Sequence, residues 1–210
     1  MADRVVHVSR ERLPGWIDGF ARRHGSFTAG LRSDAVTLTA SDGAVAVITV
    51  PFLGWSPVGE PVPALLAHVG QDRTVGVVLV RLGGYAVGRF VGDRLVSSKV
   101  DSTYVQGRTK AGGWSQQRYA RRRGNQAAQA YAETADVVAR LLLPHVADLD
   151  AVIGGGDAGA VSAVLADSRL APLRPRLQPR VYPVPDPRLR VLQAFPEQFL
   201  AVEISLNELA

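Results

Sequence analysis

The amino-acid sequence predicts an α/β fold: a mixed sheet with an antiparallel meander and flanking helices. Three observations predict it. Residues 74–82 (TVGVVLVRL), 85–91 (YAVGRFV) and 94–100 (RLVSSKV) are strand-like runs separated by Gly83-Gly84 and Gly92-Asp93, the signature of strands that turn back on their neighbours. Residues 117–143 place Tyr131, Ala135, Val138 and Leu142 on one helical face before Pro144, which marks a long amphipathic helix and its end. Residues 150–166 run from a strand through Gly154-Gly155-Gly156 into a helix, the order of an α/β unit.

The remaining elements follow in chain order. Arg4–Ser9 reads as a short strand, and Glu11–His24 as a helix with Leu13, Trp16, Ile17 and Phe20 on one face and Pro14 in its first turn. Ala35–Thr39 and Ala44–Val50 are strands around the turn Ser41-Asp42-Gly43, a good hairpin signal. A Gly/Pro loop over 52–63 precedes a short helix at 63–69. The run 74–82 is almost wholly apolar, which suits a strand buried on both faces at the centre of the sheet. Leu170–Pro187 is rich in Pro and Arg and is expected to follow the surface, with a short strand at 181–184 and a last helix over 187–200. Ribonuclease-H-like folds share this element order.

Bulk properties limit the function classes. The chain has 210 residues, of which 47% are hydrophobic and 20% charged, a globular composition with enough apolar mass for a core. The length suits a single domain over 1–210, with 1–30 as an N-terminal strand–helix extension. No apolar run approaches the ~18 residues of a membrane span. The start MADRVVHVSRERLPGW has no signal-like apolar region. The expectation is a cytoplasmic protein with no membrane partner. With no cysteines, disulfides and thiolate metal sites are excluded.

The charge is local. Between Lys99 and Arg123 stand seven cations and one acid, Asp101, an excess larger than the +5 of the whole chain. A concentrated positive field is a docking device for a polyanion. Of the 24 cationic residues 22 are Arg. A nucleotide-composition bias would explain Arg over Lys, but not the clustering.

Most candidate chemistries have weak support. Gly154-Gly155-Gly156-Asp157 at a helix start could hold an anion, but the P-loop Lys is missing, and a tight turn with Asp157 as N-cap accounts for it. His7, His24, His68 and His145 lack metal-ligand spacing. Asp101 and Asp150 adjoin strands, too few carboxylates for a two-metal nuclease. No nucleophile elbow is present.

The stretch 109–125, TKAGGWSQQRYARRRGN, is different. Residues 105–116 have no apolar period and form a connection longer than most, the kind that is often functional. Gly112-Gly113 removes side-chain bulk, so the backbone can approach a crowded partner. Gln116 supplies a neutral amide with donors and an acceptor. Arg108 and Lys110 precede it; Arg118, Arg121 and Arg122 follow at i, i+3, i+4, with Arg123 beside them. Cations at a helix N-terminus oppose the macrodipole, so phosphate is their natural partner. A solvated basic helix face is the competing account.

At these residues the chain resembles a known family. Gly113-Trp114-Ser115-Gln116, followed by the basic helix 117–125, is similar to the Gly-x-x-Gln loop of Vms-like release factors. That group is related to the Gly-Gly-Gln catalytic domain of eukaryotic and archaeal class I release factors, and its bacterial single-domain members resemble this chain most. The resemblance covers about Val36 to the C-terminus. Trp114 and Ser115 interrupt the strict triplet, and Gly124-Asn125-Gln126 is a rival motif that falls inside the helix. The domains that read stop codons and bind other factors have no room in 210 residues.

The resemblance implies a release-factor catalytic-domain-like fold and a peptidyl-tRNA hydrolase that works without reading a codon. Its partners would be peptidyl-tRNA and the large ribosomal subunit at the peptidyl-transferase centre, not DNA. Gln116, with Gly112 and Gly113, would form a mobile catalytic loop over 105–116. Arg108, Lys110, Arg118, Arg121, Arg122 and Arg123 would hold RNA phosphates. No cofactor and no metal would be needed. Two other readings stay open: a nuclease cutting the tRNA acceptor end, and a non-catalytic ribosome- or RNA-binding module.

Overall fold

Val202–Leu206, near the end of the chain, pairs antiparallel with both Arg4–Val8 and Val45–Thr49 near its start. This closes a first unit from residues 1–72 and 196–210, while residues 73–195 form a second. The structure is a computed structural model that describes residues 4–81, 84–102 and 115–210, the side chains of 115–125 excepted.

In the first unit the described strands are β1 (Arg4–Val8), β2 (Phe27–Leu31), β3 (Ala35–Ala40), β4 (Val45–Thr49) and β10 (Val202–Leu206), in the order β1-β10-β4-β3-β2. Helices α1 (Leu13–His24), α2 (Pro61–Val69) and the single turn α6 (Pro196–Phe199) belong to it. Alternation decides which faces are buried. Val36 and Leu38 of β3, Ala46 and Ile48 of β4 and Val202 and Ile204 of β10 are fully buried because a strand turns every second side chain to the same face. Leu13, Ile17 and Phe20 of α1 join the same cluster, and Pro14 stands in the helix's first turn as expected. At the hairpin, the Asp42 carboxylate accepts the Ala44 N–H at 3.0 Å, and Gly43 adopts φ +89°.

The second unit holds β5 (Thr74–Arg81), β6 (Gly84–Val91), β7 (Arg94–Asp101), β8 (Ala151–Gly156) and β9 (Leu177–Tyr182), ordered β7-β6-β5-β8-β9. The meander β5–β6–β7 is antiparallel, while β5–β8 and β8–β9 are parallel. The expected α/β architecture is therefore present, and β5 is central as its apolar run implies. Helices α3 (Ser115–Leu142) and α4 (Ala158–Leu165) pack Ala135, Val138, Leu142, Val161 and Val164 against Val78, Val80, Val87 and Val152. On the opposite face, α5 (Leu189–Ala194) brings Leu192 over Gly88.

Several elements differ from the sequence expectation. The first four strands and the last make a sheet of their own, not part of one mixed sheet. Two strands were not expected: β2, whose FTAGL is weakly apolar, and β10, whose VEISL alternates. The single helix expected over 187–200 is instead two short ones, α5 and the single turn α6, broken between Ala194 and Pro196. The glycines 154–156 form the end of β8, not a turn. They are in the strand because the packing is close: a Cβ at Gly154 would stand 2.7 Å from Val161 and one at Gly155 2.6 Å from Leu79. Residues 168–182 supply a 3₁₀ segment (Ser168–Arg176) and β9.

Candidate functional site

The stretch singled out by charge runs from the end of β7 into the first turns of α3, and the described residues fix how both ends of the connection are held. β7 finishes at Asp101, opposite Tyr85. Its backbone passes so close to β6 that a Cβ on Gly84 would overlap the Asp101 carbonyl oxygen and stand 3.0 Å from Ser102 Cα. Gly84 also has φ +151°, so glycine is needed there on both counts. The Asp101 carboxylate then accepts the Ser102 N–H at 2.9 Å and lies 3.6 Å from Lys99 Nζ. Burial of the Tyr85 ring, and next the Asp101 charge, push the Tyr85 phenol above its ordinary range.

At the other end, α3 is anchored through its C-terminal half. Ala135, Val138 and Leu142 are buried in the sheet-facing cluster. Thr134 Oγ1 donates to the Ala130 carbonyl at 2.7 Å, which keeps a buried hydroxyl satisfied within the helix. Asp136 is tied to Arg169 at 2.7 Å. Arg169 in turn grips Asp167 through Nε at 3.0 Å and Nη2 at 2.7 Å. That two-pronged contact, with the Arg169 backbone N–H, draws the Asp167 carboxyl down to about 2.

α3 begins at Ser115, two residues before the start suggested by its spacing. Gln116 therefore belongs to the backbone of the first helical turn, and Arg118, Arg121, Arg122 and Arg123 to the turns that follow. Gly124, Asn125 and Gln126 are within the helix as expected. Arg108, Lys110, Gly112 and Gly113 lie outside the described residues.

The competing candidates resolve into structural roles. Asp157 caps α4 by accepting the Ala160 N–H at 2.8 Å. Asp150 accepts the Thr74 N–H at 2.7 Å. His68 Nε2 lies 2.9 Å from the Pro51 carbonyl, and His24 Nδ1 2.9 Å from Asp42. Among the described residues no three His, Asp or Glu side chains converge to hold a metal, and no helix is long and apolar enough to cross a membrane. From the sequence Gly84 is expected only as a turn residue, and Arg169 has no expected role. Gly84 carries no local signal because the distant residues Asp101 and Ser102 fix it, and Arg169 joins its near neighbour Asp167 to the distant Asp136.

Residues 73–205 match the family described as Actinobacteria/chloroflexi VLRF1 release factor, and the match begins where the second unit begins. Among solved structures, the chain is similar to an archaeal translation termination factor, aRF1, at 16% identity and a TM-score of 0.46, covering 78% of this chain and 51% of that one. It is also similar to another archaeal protein at 17% identity and a TM-score of 0.40, covering 74% and 47%. The chain thus spans about half the length of each. A comparison with curated proteins finds no match. The family match covers more than half of the chain and includes both ends of the β7–α3 connection: the protein belongs to the Actinobacteria/chloroflexi VLRF1 release factor family.

Proposed function

We propose that the protein is a peptidyl-tRNA hydrolase that frees nascent peptides from stalled ribosomes or large subunits without reading a codon. One observation carries the reading: Gly113-Trp114-Ser115-Gln116 and its basic helix fall inside the region matched to a release-factor family. The reaction needs one bond cleaved. Water adds to the carbonyl carbon of the ester that links peptide to tRNA. The ester bond to the terminal ribose oxygen breaks, that oxygen takes a proton, and peptide acid and intact tRNA leave.

In this reading the protein contributes position more than reactivity. Gly112 and Gly113 let the backbone enter a crowded RNA site. The Gln116 amide orients the water and offers a donor to the developing oxyanion. A single oriented donor of that kind is worth about 10²–10³ in rate. Arg108, Lys110, Arg118, Arg121, Arg122 and Arg123 hold phosphates, which fix register without selecting sequence. The chain's partners are then peptidyl-tRNA and the peptidyl-transferase centre of the large subunit, and the chain works in the cytoplasm.

The test is release of labelled peptide from stalled ribosome–peptidyl-tRNA complexes, wild type against Gln116→Ala. Loss of release by the variant, with full-length tRNA as the wild-type product, supports the reading. Equal release by both sinks it at this residue, and tRNA lacking its 3′ nucleotides would make the protein a nuclease.

A further inference from the structure

The β7–α3 connection is not the chain's only basic stretch. Residues 174–190 hold five arginines, one aspartate and no lysine, together with five prolines. They begin beside β9, an outer strand of the second unit's sheet, and run into α5. Arg174, Arg180, Arg188 and Arg190 are exposed. Arg176 is used internally, donating from Nε to the Leu149 carbonyl at 2.6 Å. Among the described residues Arg174, Arg188 and Arg190 form no ion pair, and Asp186 faces Arg81 at 3.9 Å.

Three features give this strip a ligand class. The Arg180 guanidinium lies 4.7 Å from the centre of the Tyr182 ring, and that ring is braced edge-on by Phe195 at 5.6 Å. Stacking fixes the plane of a guanidinium's N–H fork, a geometry suited to phosphate. The prolines stiffen the backbone that presents the arginines, so less freedom is lost on binding. Pro179 within β9 and Pro183 after it also lack the N–H that an added peptide strand would need. A protein strand is therefore a poor occupant, and a phosphate backbone a good one.

The strip lies at one edge of the sheet: β9 and β7 are the opposite outer strands of one five-stranded sheet, and four strand spacings put those two strands roughly 19 Å apart.

We propose that Arg180, Arg188 and Arg190 form a second RNA-binding surface, which takes the phosphate backbone of ribosomal RNA while the Gln116 stretch engages peptidyl-tRNA. The proposal rests on the reading of the chain as a ribosome-acting hydrolase. It adds an anchor that would hold the protein on the large subunit independently of the tRNA.

The experiment measures binding of the full chain to vacant large ribosomal subunits and to free deacylated tRNA across a salt series. The wild type is compared with Arg180→Gln/Arg188→Gln/Arg190→Gln, with the corresponding triple Lys variant, and with Arg118→Gln/Arg121→Gln/Arg122→Gln. The first triple variant should bind vacant subunits at least tenfold more weakly, with a salt slope lowered by about 2–3. The Lys variant should retain the slope, and tRNA binding should stay unchanged. An unaltered slope on vacant subunits, a loss confined to tRNA, or competition by polyglutamate as effective as RNA each overturns the proposal. Ultraviolet crosslinking of the wild type to vacant subunits guards against a folding artefact: ribosomal RNA should attach within residues 177–190, and attachment only elsewhere overturns it. Peptide release by wild type and Gln116→Ala, measured alongside, reports the hydrolase reading separately. A strip variant with unchanged slope beside a Gln116→Ala variant without release would defeat only the strip.

Discussion

Leu142 sits over Gly76: a Cβ at residue 76 would stand 2.9 Å from Leu142 Cδ1 and 3.3 Å from Cδ2. The missing side chain on β5 is the seat for the last turn of α3, the helix that carries Gln116 at its other end. Gly76→Ala should force Leu142 aside, and Leu142→Ala should leave a cavity costing about 2–5 kcal/mol. The two changes share one space, so they should not add. In a double-mutant cycle by chemical denaturation, the double variant should be more stable than the sum of the single losses predicts. Simple additivity would show that the residues do not compete for that space.

A second prediction concerns the exit of β7. Gly84 has φ +151°, and its missing Cβ is replaced by backbone of Asp101 and Ser102. Backbone cannot swing away as the end of a side chain can. Gly84→Ala should therefore destabilise the second unit by about 1–3 kcal/mol, read as a lower melting transition in calorimetry. A variant as stable as the wild type would contradict this account.

Much of the second unit was legible before the structure because its signals are local. The run 74–82 announced a central strand by being apolar on both faces, and Pro144 announced the end of α3. The missed elements depend on distant partners. VEISL alternates as a strand should, but nothing within it says that it pairs with β1 and β4, some 160–200 residues away. FTAGL owes its pairing to β3. Gly154 to Gly156 look like a turn in sequence; the tight packing of Val161 and Leu79 explains Gly154 and Gly155 inside a strand, and Gly156 has φ +100° against the Val80 backbone. The candidate site was legible as charge and motif, while its supports need contacts that no short window contains: Gly84 against Asp101 and Ser102, and Arg169 on Asp136.

The Arg169 bridge gives a pH prediction. Arg169 holds the Asp167 carboxyl at about 2 in the folded chain, against an ordinary aspartate value of about 3.9. The folded pKa is depressed, so the stabilisation is present in full above the ordinary value and is lost as pH falls toward 2. Carboxyl NMR should show Asp167 titrating near 2 in the wild type and higher in Arg169→Ala, though still below the ordinary value because the backbone N–H of residue 169 remains. The same substitution frees Asp136 on α3 from its partner, so amide exchange around Asp136 should rise. An Asp167 that still titrates near 2 in the variant would assign the low value to something other than the Arg169 side chain.

The proposed division of labour between Gln116 and the arginines makes a kinetic prediction. If Gln116 acts on the reacting ester and the arginines act on phosphates, the two kinds of change should fall on different constants. Gln116→Ala removes an interaction made mainly in the transition state, so kcat for peptide release should drop by about 10²–10³ with KM little changed. Arg121→Glu with Arg122→Glu removes ground-state attraction, so KM should rise and the salt dependence of binding should flatten while kcat is largely kept. Single-turnover release at saturating protein checks this directly. At saturation the charge variant should recover most of the wild-type rate and Gln116→Ala should recover none. The opposite pattern would move the chemistry from Gln116 to the basic helix. Inactivity of the charge variant alone, with Gln116→Ala fully active, would leave a binding module in place of an enzyme.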